Sequence, residues 1–138
     1  MNDQRFDVDH RRRTDIARAL AAALASEPSI VFAYLFGSFI HAGPFHDIDV
    51  GVYLRNPPSG HTALAVKLAD RLSRNVGYPV DVRELNNAPV PFVFHAVQGD
   101  LLVSVDDECL ANVLERTGLR YLDIAPVLRQ ATRDAFAP

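Results

Sequence analysis

The chain has no tryptophan, one methionine and a single cysteine among 138 residues. One cysteine, Cys109, rules out an intramolecular disulfide, and beside helical apolar residues it reads as a structural thiol. Long apolar runs are missing too. No stretch approaches the ~18 consecutive apolar residues of a membrane span, and the opening "MNDQRFDVDHRRRTD" lacks the apolar core of a signal peptide. The cytoplasm is therefore the expected compartment. Nor is there an excess of basic charge. With 14 Lys and Arg against 17 Asp and Glu the net charge is -3, so no overall field draws the chain to DNA or to an anionic membrane. The one basic run, His10–Arg13, reads as the solvated lead-in to a helix.

What is present describes a packed domain. Hydrophobic residues make up 49% of the chain and charged residues 22%, ordinary values for a globular protein of common single-domain length. No repeat or linker divides it. The expectation is one domain over residues 1–138, with a flexible N-terminus at 1–13 and C-terminal helices over 106–138.

The pattern alternates helix and strand. "TDIARALAAALASEP" places Ile16, Leu20 and Leu24 four apart, an amphipathic helix that Thr14 can cap and Glu27-Pro28 stops. "SIVFAYLFGS" is rich in β-branched and aromatic residues and reads as a buried strand in which Tyr34 and Phe36 are core aromatics. "DIDVGVYL" is a second strand, and "HTALAVKLADRLSRNVGYP" a helix bounded by Gly77 and Pro79. "VDVREL" and "LLVSVDD" supply two more strands, with a short helix in "PFVFHAVQGD" between them. Pro126 falls inside the last helical stretch, where proline removes a hydrogen bond, so a break or kink is expected just before it. The fold class is α/β (α+β): a mixed sheet of about four strands flanked by four or five helices.

Two aspartates inside an apolar strand are anomalous, because Asp is depleted from strands. Alternation puts Asp47 and Asp49 on one face of "DIDVGVYL" and Ile48 and Val50 on the other. Carboxylates so spaced suit Mg²⁺, which takes oxygen ligands and is commonly held by one or two carboxylates together with substrate phosphates. Two such ions about 3.5–4 Å apart can clamp the attacking and leaving oxygens of an in-line displacement. Asp81, between Val80 and Val82, is a third carboxylate opposite an apolar face, able to ligate a metal or take a proton. Gly37-Ser38, at the end of the first strand, lets the backbone approach a ligand closely, and a helical turn beginning there would suit a triphosphate.

Other residues rank lower. His41, His46, His61 and His95 do not form a zinc-ligand spacing. Arg83 shares the face of Asp81 and would meet phosphate or pair with a carboxylate. Ser104, Asp106 and Asp107 read as a strand end and a helix cap. Leu110, Val113, Leu114, Val127 and Leu128 form a stripe read as core first and as partner or dimer surface second.

In "GSFIHAGPFHDIDVGVYL" and "VDVRELNNAPVPFVFHAVQGDLLVS", and in the order of the elements between them, the chain resembles the minimal nucleotidyltransferases of the DNA polymerase β-like superfamily. The resemblance covers roughly residues 14–125. It implies that Gly37 and Ser38 bind the nucleotide and that Asp47, Asp49 and Asp81 are the catalytic, metal-holding carboxylates for two Mg²⁺ ions. Departures are a shortened loop, Phe39–His46, and His41 where a basic residue often follows the serine. Such proteins move a nucleoside monophosphate from a triphosphate to a hydroxyl.

Small stand-alone members are often antitoxins of modules whose toxin is a HEPN-domain ribonuclease. The resemblance thus implies Mg²⁺-dependent transfer of AMP from ATP to a tyrosine of a HEPN partner, in a hetero-oligomer, with a homo-oligomer also open. One alternative is a small-molecule acceptor such as an aminoglycoside. The other is a non-catalytic antitoxin that acts by binding alone.

Overall fold

The computed structural model describes residues 4–57 and 62–135. His61, the end of "RNPPSG" and the termini at 1–3 and 136–138 lie outside the described residues. Four strands form one mixed sheet in the order β3-β2-β1-β4: β1 (Ile30–Phe36), β2 (Ile48–Leu54), β3 (Val80–Glu84) and β4 (Asp100–Ser104). β1 runs antiparallel to β2 and β4, whereas β2 and β3 are parallel. The helices are α1 (His10–Ala25), α2 (Thr62–Val76), α3 (Val90–Ala96) and α4 (Asp107–Ala135), and a single 3₁₀ turn spans Ser38–Ile40.

Alternation on β1 divides the core in two. Ala33 and Leu35 join Ile16, Leu20 and Leu24 of α1 and Leu68, Leu72 and Val76 of α2. Phe32, Tyr34 and Phe36 turn the other way, towards Ala96 of α3 and Leu110 and Val113 of α4. β1 is buried along its whole length, so its lack of polar residues follows from its central place. Each fully buried Leu or Phe in these layers contributes ~1.5–3 kcal/mol. α2 and the β2–β3 pairing make a parallel crossover, and Gly77 at φ +81° ends α2 with its N–H on the Ser73 carbonyl at 2.9 Å.

Three expectations are corrected. First, α1 starts at His10, ahead of Thr14, capped by Asp9, whose carboxylate accepts from the Arg12 N–H at 2.7 Å. Thr14 is no cap; its hydroxyl donates to the His10 carbonyl inside the helix. Second, α4 runs unbroken past Pro126. Proline deprives only the Leu122 carbonyl of its partner, on a turn whose side chain is 67% exposed, so water can take that bond. Third, the apolar stripe divides: Leu110 and Val113 are core and Leu114 packs against it, but Val127 and Leu128 are exposed, as are Leu119 and Leu122 between them. Among the described residues no helix is long and apolar enough to cross a membrane.

Candidate active site

The site lies where β1 ends and β2 begins. Phe36 is the cross-strand partner of Asp49, so Gly37 arrives beside the Asp49 side chain. Gly37 holds φ +82°, a conformation open to glycine, and a Cβ there would collide with the Asp49 carboxylate. The chain then turns through Ser38–Ile40, leaving Ser38 exposed. Asp47 lies one residue before β2 rather than within it.

Asp49 stands directly opposite Asp81 in the parallel β2–β3 register. Its carboxyl is pushed up from 3.8 to about 6, first by burial, then by the charges of Asp47 and Asp81, with Arg83 pulling the other way. Arg83 is spoken for: its Nε donates to Asp81 Oδ2 at 3.1 Å, and its guanidinium lies 5.8 Å from the Phe92 ring centroid. The carboxylate pairing foreseen for Arg83 is the one that forms.

The donor set tests the implied metal. Among the described residues no three His, Cys, Asp or Glu side chains are close enough to hold an ion as they stand. Yet Asp49 is a carboxylate kept costly to ionise by burial first and by two like charges next, and the donors are all oxygen. That chemistry fits Mg²⁺, whose charge removes the cost.

The remaining candidates take structural places. His46 Nδ1 lies 3.1 Å from the Gln4 carbonyl, and His41 ends the 3₁₀ turn, exposed. Asp106 caps α4 by accepting from the Cys109 N–H at 3.0 Å, while the Ser104 hydroxyl donates to Asp107. Tyr34 is buried, which pushes its hydroxyl up.

Sequence reasoning missed Asn86, whose side chain accepts from the Leu54 N–H and donates to its carbonyl, continuing the β2–β3 pairing past the end of β3. It missed Arg13 as well, which reaches from α1 to the carbonyls of Phe39 and Gly43. No local pattern marks either contact, which span 26 to 32 residues. A separate groove on α4, lined by Tyr121, Ala125, Leu128, Arg129, Thr132 and Arg133, shares no residue with the carboxylates.

Comparison with known proteins gives a consistent picture. The family model described as polymerase beta, nucleotidyltransferase matches residues 18–108. No curated protein matches. Among solved structures, one similar chain comes from a tri-AMPylated Shewanella oneidensis HEPN toxin in complex with its MNT antitoxin. The TM-score there is 0.71 at 19% identity, covering 91% of this chain and 99% of that one. A second belongs to the toxin–antitoxin MntA–HepT, with TM-score 0.56, 20% identity and 92% and 94% coverage. A third belongs to a toxin–antitoxin structure with AMP-PNP, with TM-score 0.55, 20% identity and 93% and 94% coverage. At these identities the likeness is one of fold.

Proposed function

The chain belongs to the polymerase beta nucleotidyltransferase family, and on that premise we propose that it moves AMP from ATP to a tyrosine of a HEPN-type toxin, as that toxin's antitoxin. The observation that carries the reading is the Asp49–Asp81 register beneath Gly37, a carboxylate pair beside a backbone that admits no side chain. The solved relatives named as a HEPN toxin with its MNT antitoxin, and as a toxin–antitoxin with AMP-PNP, support both partner and nucleotide. In this reading residues 1–138 are a single nucleotidyltransferase domain acting in the cytoplasm.

Asp47, Asp49 and Asp81 would hold two Mg²⁺ ions. When bound, these supply the charge that neutralises the triphosphate and the pentavalent transition state. The exposed Ser38 hydroxyl and the Gly37 backbone orient the β- and γ-phosphates. Asp81, its carboxylate oriented by the contact with Arg83, takes the proton of the acceptor hydroxyl. The hydroxyl oxygen bonds to the α-phosphorus, the bond from that phosphorus to the bridging oxygen breaks, and pyrophosphate leaves. The chain's contribution is alignment of these groups.

The test mixes the protein with Mg²⁺, ATP labelled at the α-phosphate and a HEPN-type protein as acceptor. Label on that protein with the parental chain, and none with the Asp47→Asn/Asp49→Asn variant, is the expected result. Equal inhibition of the toxin by both, without label, would replace this reading by neutralisation through binding. The exposed Leu119, Leu122 and Val127 are the observation favouring that second reading, since they offer a docking face away from the carboxylates.

A further inference from the structure

The loop between Ser38 and Asp47 joins the two halves of the site, and residues 4–13 hold it from outside. Phe6 and Phe45 exchange backbone hydrogen bonds at 2.8 and 2.9 Å. Their rings lie 5.7 Å apart, and both pack on Tyr78. The Gln4 carbonyl meets His46, the residue before Asp47. Arg13 makes the central contact. Its NH1 donates to the Phe39 carbonyl within the 3₁₀ turn and its NH2 to the Gly43 carbonyl beyond it. The guanidinium also lies 5.2 and 5.5 Å from the Phe39 and Phe45 ring centroids, and its side chain is 13% exposed. Asp7 pairs with it at 3.8 Å.

A planar fork of this kind fixes the separation of two carbonyls, which a point charge on a flexible stem cannot do. The loop needs such a brace. It has no regular structure beyond one turn, yet Gly37 and Ser38 stand at one end of it and Asp47 at the other. We infer that Arg13 is a positioning residue for nucleotide binding: by tying Phe39 to Gly43 it sets where the Gly37-Ser38 turn stands relative to Asp47 and Asp49. This rests on the nucleotidyl-transfer reading above, since it assigns Ser38 to the triphosphate. Arg13 touches no substrate in this scheme and acts wholly through the loop.

The experiment compares the full-length parental chain with Arg13→Lys and Arg13→Gln. Three quantities are measured: thermal midpoint, binding of a fluorescent ATP analogue with Mg²⁺, and the KM and kcat of AMP transfer to the HEPN partner. A misplaced phosphate turn weakens nucleotide binding, so KM for ATP and the analogue's Kd rise by about tenfold in Arg13→Gln while kcat changes less. Arg13→Lys, which can reach one carbonyl at a time, falls between. A merely structural role gives a different signature: a lower midpoint and a smaller active fraction, with KM and Kd unchanged in the molecules that fold. That result in Arg13→Lys, the milder variant, overturns the inference even if Arg13→Gln does not fold. A parental chain that binds no nucleotide overturns the transfer reading and the inference with it. A parental chain that binds and transfers beside equally competent Arg13 variants overturns the inference alone.

Discussion

Asp49 of β2 and Asp81 of β3 are register partners in a parallel pair, two carboxylates side by side on one face of the sheet. Parallel neighbours of like charge repel, and a fold selected for stability alone would place an apolar or opposite charge there. Asp49→Asn should therefore remove AMP transfer by orders of magnitude without harming the fold. Paired assays of labelled-AMP transfer and thermal midpoint check this. Transfer at the parental rate would remove Asp49 from the chemistry.

The same crowding gives a pH dependence in the metal-free protein. Asp49 is raised from 3.8 to about 6 by burial first and by Asp47 and Asp81 next. Between those values the folded chain retains a proton that the unfolded chain has released, so it binds more protons than the unfolded state. The stability this group contributes is full below about pH 4 and is lost as the pH rises through about 6. In EDTA, the parental midpoint should fall relative to that of Asp49→Asn across this window, and Mg²⁺ at neutral pH should narrow the gap. Parallel midpoint curves for the two proteins would show that the site tolerates the charge unaided.

Gly37→Ala probes the close approach. Alanine would be strained at φ +82°, and its methyl would meet the Asp49 carboxylate. A cost of ~1–3 kcal/mol is expected from the backbone alone. Combined with Asp49→Ala, the collision disappears but the strain remains, so the double variant should lose less stability than the two single losses added together. Urea melts of the four proteins measure it. Strict additivity would mean that the loop moves aside and that the contact is dispensable.

Much of this was legible in the residues because it depends on short-range rules. Asp49 between Ile48 and Val50, and Asp81 between Val80 and Val82, announced their faces through the two-residue period of a strand. Gly77 announced the end of α2 in the same local way. The starts of elements were harder. Asp9 and Thr14 both suit a helix cap, and only the docking of Arg12 on the Val76 carbonyl and of Arg13 on the loop favours the longer helix. Pro126 misled because its cost depends on where the freed Leu122 carbonyl points, which the sequence does not encode. Arg13 was read as solvent-facing for a related reason. A basic run has the same composition whether its guanidinium groups meet water or a carbonyl pair 26 and 30 residues away.

The distal part of α4 carries the last prediction. Leu119, Leu122 and Val127 are 58%, 67% and 69% exposed, while the preceding turns of the same helix bury Leu110 and Val113. Large apolar side chains left on one element after the domain's core is complete mark a surface that another chain can cover. Replacing Leu122 and Val127 by Asp removes no contact in the described core, so the thermal midpoint and the binding of an ATP analogue should stay near the parental values, within ~0.5 kcal/mol in stability. Association with the proposed HEPN-type partner should fall sharply, because burying two carboxylates against an apolar surface is costly. Titration calorimetry of the variant against that partner reads this directly. Loss of association with nucleotide binding intact would assign α4 to recognition and the carboxylate face to chemistry. Undiminished association would move the interface to another face of the domain.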